Sequence, residues 1–97
     1  MLNKKQKQTL RAAANALKPL VIIGKEGITE TLCESVDVSL EAHELIKVSL
    51  LKTAPLDVKE AAIEVAVATK SDIVQIIGRT IVLYRKSLKH PNPEWMR

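Results

Sequence analysis

The apolar residues of this chain change spacing repeatedly, from a helical period near four to strand-like alternation or short runs and back again, and that order leaves few folds open. Asn3 can cap a helix over residues 3–17, with Leu10, Ala13, Ala14 and Leu17 as its apolar face, until Pro19 ends it and restricts Lys18. Leu20, Val21, Ile22 and Ile23 form an almost continuous apolar run stopped by Gly24, the pattern of a strand buried on both sides. A second helix starts near Thr29, presents Leu32, Val36 and Leu40 to the core, and ends near His43. Residues 45–51 alternate Ile46, Val48 and Leu50 with Lys47 and Ser49, as a half-exposed strand does. Beyond Pro55, Asp57 with Glu60 three residues on reads as an N-cap and capping box for a third helix, apolar at Ala61, Ala62, Val65 and Ala68 and running to about residue 70. Residues 73–77 and 80–84 are rich in β-branched side chains and flank Gly78-Arg79, a two-residue hairpin turn.

The order α-β-α-β-α-β-β predicts an α/β two-layer sandwich on a four-stranded mixed sheet. At 97 residues the chain holds one core, so residues 1–86 are expected to be a single domain. The tail, 87–97, carries Pro91 and Pro93 without periodicity and is expected to be loosely ordered. The 46% apolar share contains no Phe, one Tyr (Tyr84) and one Trp (Trp95), so the core is aliphatic, base-stacking platforms are scarce, and Tyr84 is expected to pack on the sheet. Cys33 is alone and cannot form an intramolecular disulfide, which suits a reducing compartment and a core or boundary thiol. No apolar run approaches the roughly 20 residues of a membrane span, so a cytoplasmic protein without membrane association is expected.

The net charge of +4 is unevenly distributed. Lys4, Lys5, Lys7, Arg11, Lys18 and Lys25 precede any acid, and Arg79, Arg85, Lys86, Lys89 and Arg97 dominate the other end. Between them Glu30, Glu34, Asp37, Glu41 and Glu44 recur at helical spacing as an acidic stripe facing water. Lys4, Lys7 and Arg11 form a cationic stripe beside the apolar face of the first helix. Gly24-Lys25-Glu26-Gly27 joins a strand to a helix. Such a loop can bring backbone N–H groups and Lys25 to a phosphate, or it can simply permit a tight turn, the commoner use of an isolated G-x-x-G. It is neither a Walker loop nor a dinucleotide fingerprint. His43 and His90, the only histidines, show no triad spacing, and the acids are strung along one helix rather than clustered for metal ions. A non-enzymatic protein without metal, cofactor or small-molecule substrate is expected.

Four segments, residues 2–10 (LNKKQKQTL), 17–29 (LKPLVIIGKEGIT), 43–48 (HELIKV) and 74–85 (VQIIGRTIVLYR), taken in this order, resemble the CRM domain family (chloroplast RNA splicing and ribosome maturation), specifically its stand-alone bacterial members of the YhbY type. The resemblance spans about residues 2–86. It implies a fold like the C-terminal domain of translation initiation factor 3, with helices on one face of the sheet plus an extra N-terminal helix. It also implies an RNA-binding protein that acts on ribosomal RNA or its precursor in assembly of the large (50S) subunit, with a G-x-x-G loop comparable to that of KH domains; a monomer is expected. On that basis Gly24, Lys25 and Gly27, the stripe of Lys4, Lys7 and Arg11, and Lys18, Arg79 and Arg85 are the expected RNA-binding residues. With so few aromatics, the backbone and shape of structured RNA are the expected target. The competing expectation is a protein-interaction module that docks on a ribosomal protein or assembly factor through the acidic face of the second helix.

Overall fold

The computed structural model describes residues 2–89 and runs α1 (Lys4–Ala14), β1 (Pro19–Ile23), α2 (Glu30–His43), β2 (Leu45–Leu50), α3 (Val58–Thr69), β3 (Asp72–Ile77) and β4 (Thr80–Tyr84). The expected order is the observed one, and the sheet is mixed. Its strands lie in the order β1-β2-β4-β3, with β1 parallel to β2 and β4 antiparallel to both of its neighbours. The α3 crossover therefore carries the chain past one strand position, and the β3–β4 hairpin returns to fill it.

Each helix begins where the sequence supplies an acceptor. Asn3 Oδ1 accepts the Gln6 N–H at 2.8 Å while Gln6 Oε1 accepts the Asn3 N–H at 3.0 Å, a reciprocal capping box. Thr29 Oγ1 accepts the Leu32 N–H at 3.1 Å, and Asp57 Oδ1 accepts the Glu60 N–H at 2.8 Å. Each such cap contributes about 1 kcal/mol.

Helices α2 and α3 cover one face of the sheet, where Val36, Leu40, Ala62 and Val65 meet Ile23, Ile46, Val48, Ile81 and Leu83, all fully buried. On α3 the expected core position Ala68 faces outward, and Ala66 and Thr69 are buried instead, because the buried side continues 62, 65, 66 and 69. Helix α1 lies on the opposite face. It packs Leu10 and Ala14, with Leu2 ahead of the helix, against Leu45, Val74, Val82 and Tyr84. Strand β4 is consequently buried on both sides, and Tyr84 is a packing residue, as expected.

One boundary and one burial pattern differ from the expectation. Helix α1 stops at Ala14, where the Asn15 N–H turns back to Ala12 O and the Leu17 N–H to Ala14 O; this brings the chain to the sheet edge while keeping Leu17 against the α1 layer. Strand β1 is not buried on both sides. Val21 and Ile23 enter the core, but Leu20 and Ile22 are 54% and 57% exposed, because α1 sits over β2, β4 and β3 and leaves β1 uncovered. As an edge strand it also tolerates Pro19, whose missing N–H costs no ladder bond on the open side.

Candidate nucleic-acid interface

The strand β1 ends in the 24–27 loop, which is a hydrogen-bonded turn with the Gly27 N–H donating to Gly24 O at 3.0 Å. Gly27 is buried, adopts φ +71°, and lies against Pro55, whereas Lys25 and Glu26 stand exposed at the tip. Behind the loop, the first turn of α2 already holds the Thr29 hydroxyl and the acidic Glu30, both of which complement the helix N-terminus. What the loop offers an anion is therefore its tip and Lys25.

Backbone bonds gather three connections at this end of the sheet. The Leu51 N–H donates to Ile23 O at 2.9 Å and the Leu50 N–H to Arg79 O at 2.8 Å, so the end of β2 is tied to both the 24–27 loop and the Gly78-Arg79 turn. Gly78 takes φ +56° to make that turn. Lys52 and Arg79 line one cleft with Leu51, Pro55 and Leu56, and with Asp57 and Glu60 at the start of α3. Lys25, Lys52 and Arg79 thus project from adjoining loops. Lys52 escaped the sequence reading because it stands alone in a loop, and only the sheet topology brings it beside Arg79.

The α1 stripe lies on the face of the sheet away from α2 and α3, with Lys4 and Arg11 exposed and Lys7 half-buried. Lys18 is exposed just ahead of β1, and its neighbour Pro19 pairs in register with Lys47 of β2. Lys47, half-exposed, shares the α1 side of the sheet. Alternation with buried Ile46 and Val48 could have singled it out.

Arg85 goes elsewhere. It follows β4 at the end opposite Arg79, on the order of 20 Å away at strand rise. Its guanidinium donates to the Asp37 carboxylate, to Thr69 O at 2.8 Å and to Asp37 O at 3.1 Å, and lies 3.6 Å from Glu41. Arg85, expected among the RNA-binding residues, is thus set apart from Arg79, with its charge engaged on the α2 and α3 layer.

The acidic stripe is also reshaped. Glu44, expected to face water, is 1% exposed, because the chain leaves α2 there at φ +64° and turns the side chain inward to accept the Ser87 N–H at 2.6 Å. Glu41 Oε1 accepts the N–H groups of Leu88 and Lys89 at 2.9 and 3.0 Å. Residues 87–89, the start of the expected loose tail, are thereby tied to α2; His90, Pro91, Pro93, Trp95 and Arg97 lie outside the described residues.

The Lys89 amide above all, then the Leu88 amide, the Ser87 hydroxyl and the Arg85 charge, hold the Glu41 carboxyl below its ordinary pKa against an opposing desolvation. A depressed carboxylate pKa gives stability that is present above the ordinary value and lost as pH falls through the folded one. Acidification below the usual carboxylate range is therefore expected to release Leu88 and Lys89, seen as faster exchange of their amides, and Glu41→Gln is expected to abolish that pH dependence.

Catalytic groups are sparse. Burial, with Asp37 and Glu30 nearby, pushes the Cys33 thiol up, away from a reactive thiolate. His43 is exposed in the last turn of α2, and among the described residues no three His, Cys, Asp or Glu side chains are placed to hold a metal ion. No helix among them is long and apolar enough to cross a membrane.

The CRS1 / YhbY (CRM) domain family matches residues 2–85 of this sequence, nearly all of the described fold. The chain belongs to the CRM family. This CRM domain is 39% identical over 94 residues to the probable RNA-binding protein YqeI of Bacillus subtilis, covering 97% of the one chain and 98% of the other. It is 41% identical over 87 residues to an RNA-binding protein of Haemophilus influenzae, covering 89% and 87%. The solution structure of SAV1595 from Staphylococcus aureus, described as a candidate RNA-binding protein, superposes on the CRM domain with a TM-score of 0.77 at 46% identity, covering 90% and 91%.

Proposed function

We propose that this CRM domain is a non-enzymatic, monomeric RNA-binding protein of the cytoplasm that binds the ribosomal RNA precursor of the large subunit and acts in its assembly. The observation that carries the reading is the convergence of the 24–27 loop, Lys52 and Arg79 at one end of the sheet, tied together through the Leu50 and Leu51 amides. Relatives named as RNA-binding proteins over nearly the whole chain supply the class of ligand. Lys4, Lys7 and Arg11 on α1 and Lys47 on β2 extend the cationic surface along the face away from α2 and α3, with Lys18 at the start of β1, the end of that strand opposite the loop. The acids of α2 lie on the other layer, where they would not repel a polyanion seated on the first. Affinity on such a surface is mostly phosphate-driven and salt-dependent. Binding and release of an RNA segment would hold an assembly intermediate without any bond being broken.

Docking of a protein on the acidic face of α2 is the weaker account, because Arg85 and residues 87–89 already engage three of its five acids, Asp37, Glu41 and Glu44. The test is binding of the purified chain to a large-subunit RNA precursor across a salt series, beside Lys25→Ala and a Lys4/Lys7/Arg11 triple alanine variant. The expected result is a salt slope that falls by about one for Lys25→Ala and by up to about three for the triple variant. Parental slopes and affinities in both variants would sink this surface.

A further inference from the structure

On the face that carries α1, a row of side chains that crosses the whole sheet stays uncovered by the described residues. Register sets Ile22 beside Ser49, Ser49 beside Thr80, and Thr80 beside Ile77, so the row crosses all four strands. Its strand neighbours Val21, Ile23, Val48, Leu50, Ile76 and Ile81 belong to the α2 and α3 core, which fixes the row on the other face. One step inward, Lys47, Val82 and Gln75 pair in register, and there Val82 is already fully buried under the α1 layer while Lys47 and Gln75 remain half-exposed. The open row is bounded by Lys47 on that side and by the 24–27 loop and Arg79 on the other. At strand spacing it is about 14 Å across.

The composition of the row points to a ligand. Ile22 and Ile77, 57% and 49% exposed, stand on the two edge strands, where a solvated sheet would carry charge. Between them are two half-buried hydroxyls, Ser49 and Thr80, each able to donate and accept. The row has no aromatic ring on which a base could stack. Hydroxyls in the middle, apolar surface at both ends, Lys47 on one side and Lys25 and Arg79 beside Glu26 on the other suit sugar, with phosphates to either side. A-form RNA displays such a surface in its wide, shallow minor groove, where the 2′-hydroxyls lie within reach of short side chains.

We propose that the row Ile22, Ser49, Thr80 and Ile77 is a ribose-reading floor that takes the minor groove of a double-stranded RNA segment and makes the domain prefer RNA to DNA. This rests on the RNA-binding reading and adds the form of RNA and the residues that recognise it.

The full chain is titrated with an RNA duplex and a DNA duplex of the same base sequence, as parent, as Ser49→Ala/Thr80→Val, as Ile22→Glu and as Val67→Glu. Val67 is 75% exposed on α3, on the opposite layer, and brings the same charge change. The parent is expected to favour the RNA duplex, and the double variant to lose about ten-fold of that preference with its salt slope unchanged. Ile22→Glu is expected to weaken RNA about ten-fold and Val67→Glu less than about two-fold. Thermal melts of the variants separate lost contact from lost fold. A parent that binds both duplexes equally, or an RNA preference untouched in the double variant and in Ile22→Glu, overturns the ribose floor while leaving RNA binding through the loops intact. A parent that binds neither duplex nor the ribosomal precursor overturns the RNA-binding reading itself.

Discussion

Replacing Lys25, Lys52 and Arg79 together by alanine is expected to weaken binding to the ribosomal RNA precursor on the order of 100-fold at about 0.15 M salt. The figure follows from counterion release. A phosphate contact with a slope near 0.9 is worth roughly five-fold at 0.15 M relative to 1 M, and three such contacts multiply. The three side chains stand on separate loops that only the ends of β1, β2 and the hairpin bring together, so their removal takes three cations from one end of the molecule and leaves α1 untouched. Stability is expected to change by less than about 0.5 kcal/mol, since Lys25, Lys52 and Arg79 are exposed. A filter-binding or fluorescence titration across salt reads both slope and affinity. If the triple variant keeps the parental slope, RNA does not approach from this end.

Gly27→Val is expected to destabilise the fold by about 2–4 kcal/mol, while Gly24→Ala is expected to fall within about 0.5 kcal/mol of the parent. The sequence presents these glycines as equals. Gly27 has φ +71°, where a β-branched residue is a genuine outlier, and a Cβ placed there comes within 3.1 Å of Pro55 Cγ. At Gly24 a Cβ meets only Leu51 Cδ1 at 3.6 Å, an ordinary contact. For a domain of this size the Gly27 change corresponds to a fall of roughly 10–20 °C in melting temperature, which calorimetry resolves. Any loss of RNA affinity in Gly24→Ala without loss of stability would then report close approach of the ligand to the loop, because the turn itself does not require that glycine.

Much of the fold was legible before the structure. Three helix starts were marked by Asn3, Thr29 and Asp57, side chains that can accept the orphan N–H groups of a first turn, and all three serve as caps. The hairpin was marked by Gly78-Arg79 between β-branched runs, and Gly78 takes the positive φ that the turn requires. Local chemistry writes these features into consecutive residues. The misreading of β1 had a different origin. Leu20, Val21, Ile22 and Ile23 look alike in sequence, and whether the second face of a strand is covered depends on where a helix from another part of the chain comes to rest.

The same division runs through the candidate site. The order of elements, the family, the cationic stripe of Lys4, Lys7 and Arg11, and the loop of Gly24 and Gly27 can be read along the chain, because periodicity, caps and glycine positions are properties of near neighbours. Which charges work together follows from the folded arrangement. It set Lys52 beside Arg79 and Lys18 near Lys47, and it drew Arg85 to Asp37 and Glu41 and Glu44 to Ser87 across more than forty residues of chain. Electrostatic pairing acts through space at distances of a few ångströms, and the chain order alone does not say which of its many cations and carboxylates the sheet will bring that close.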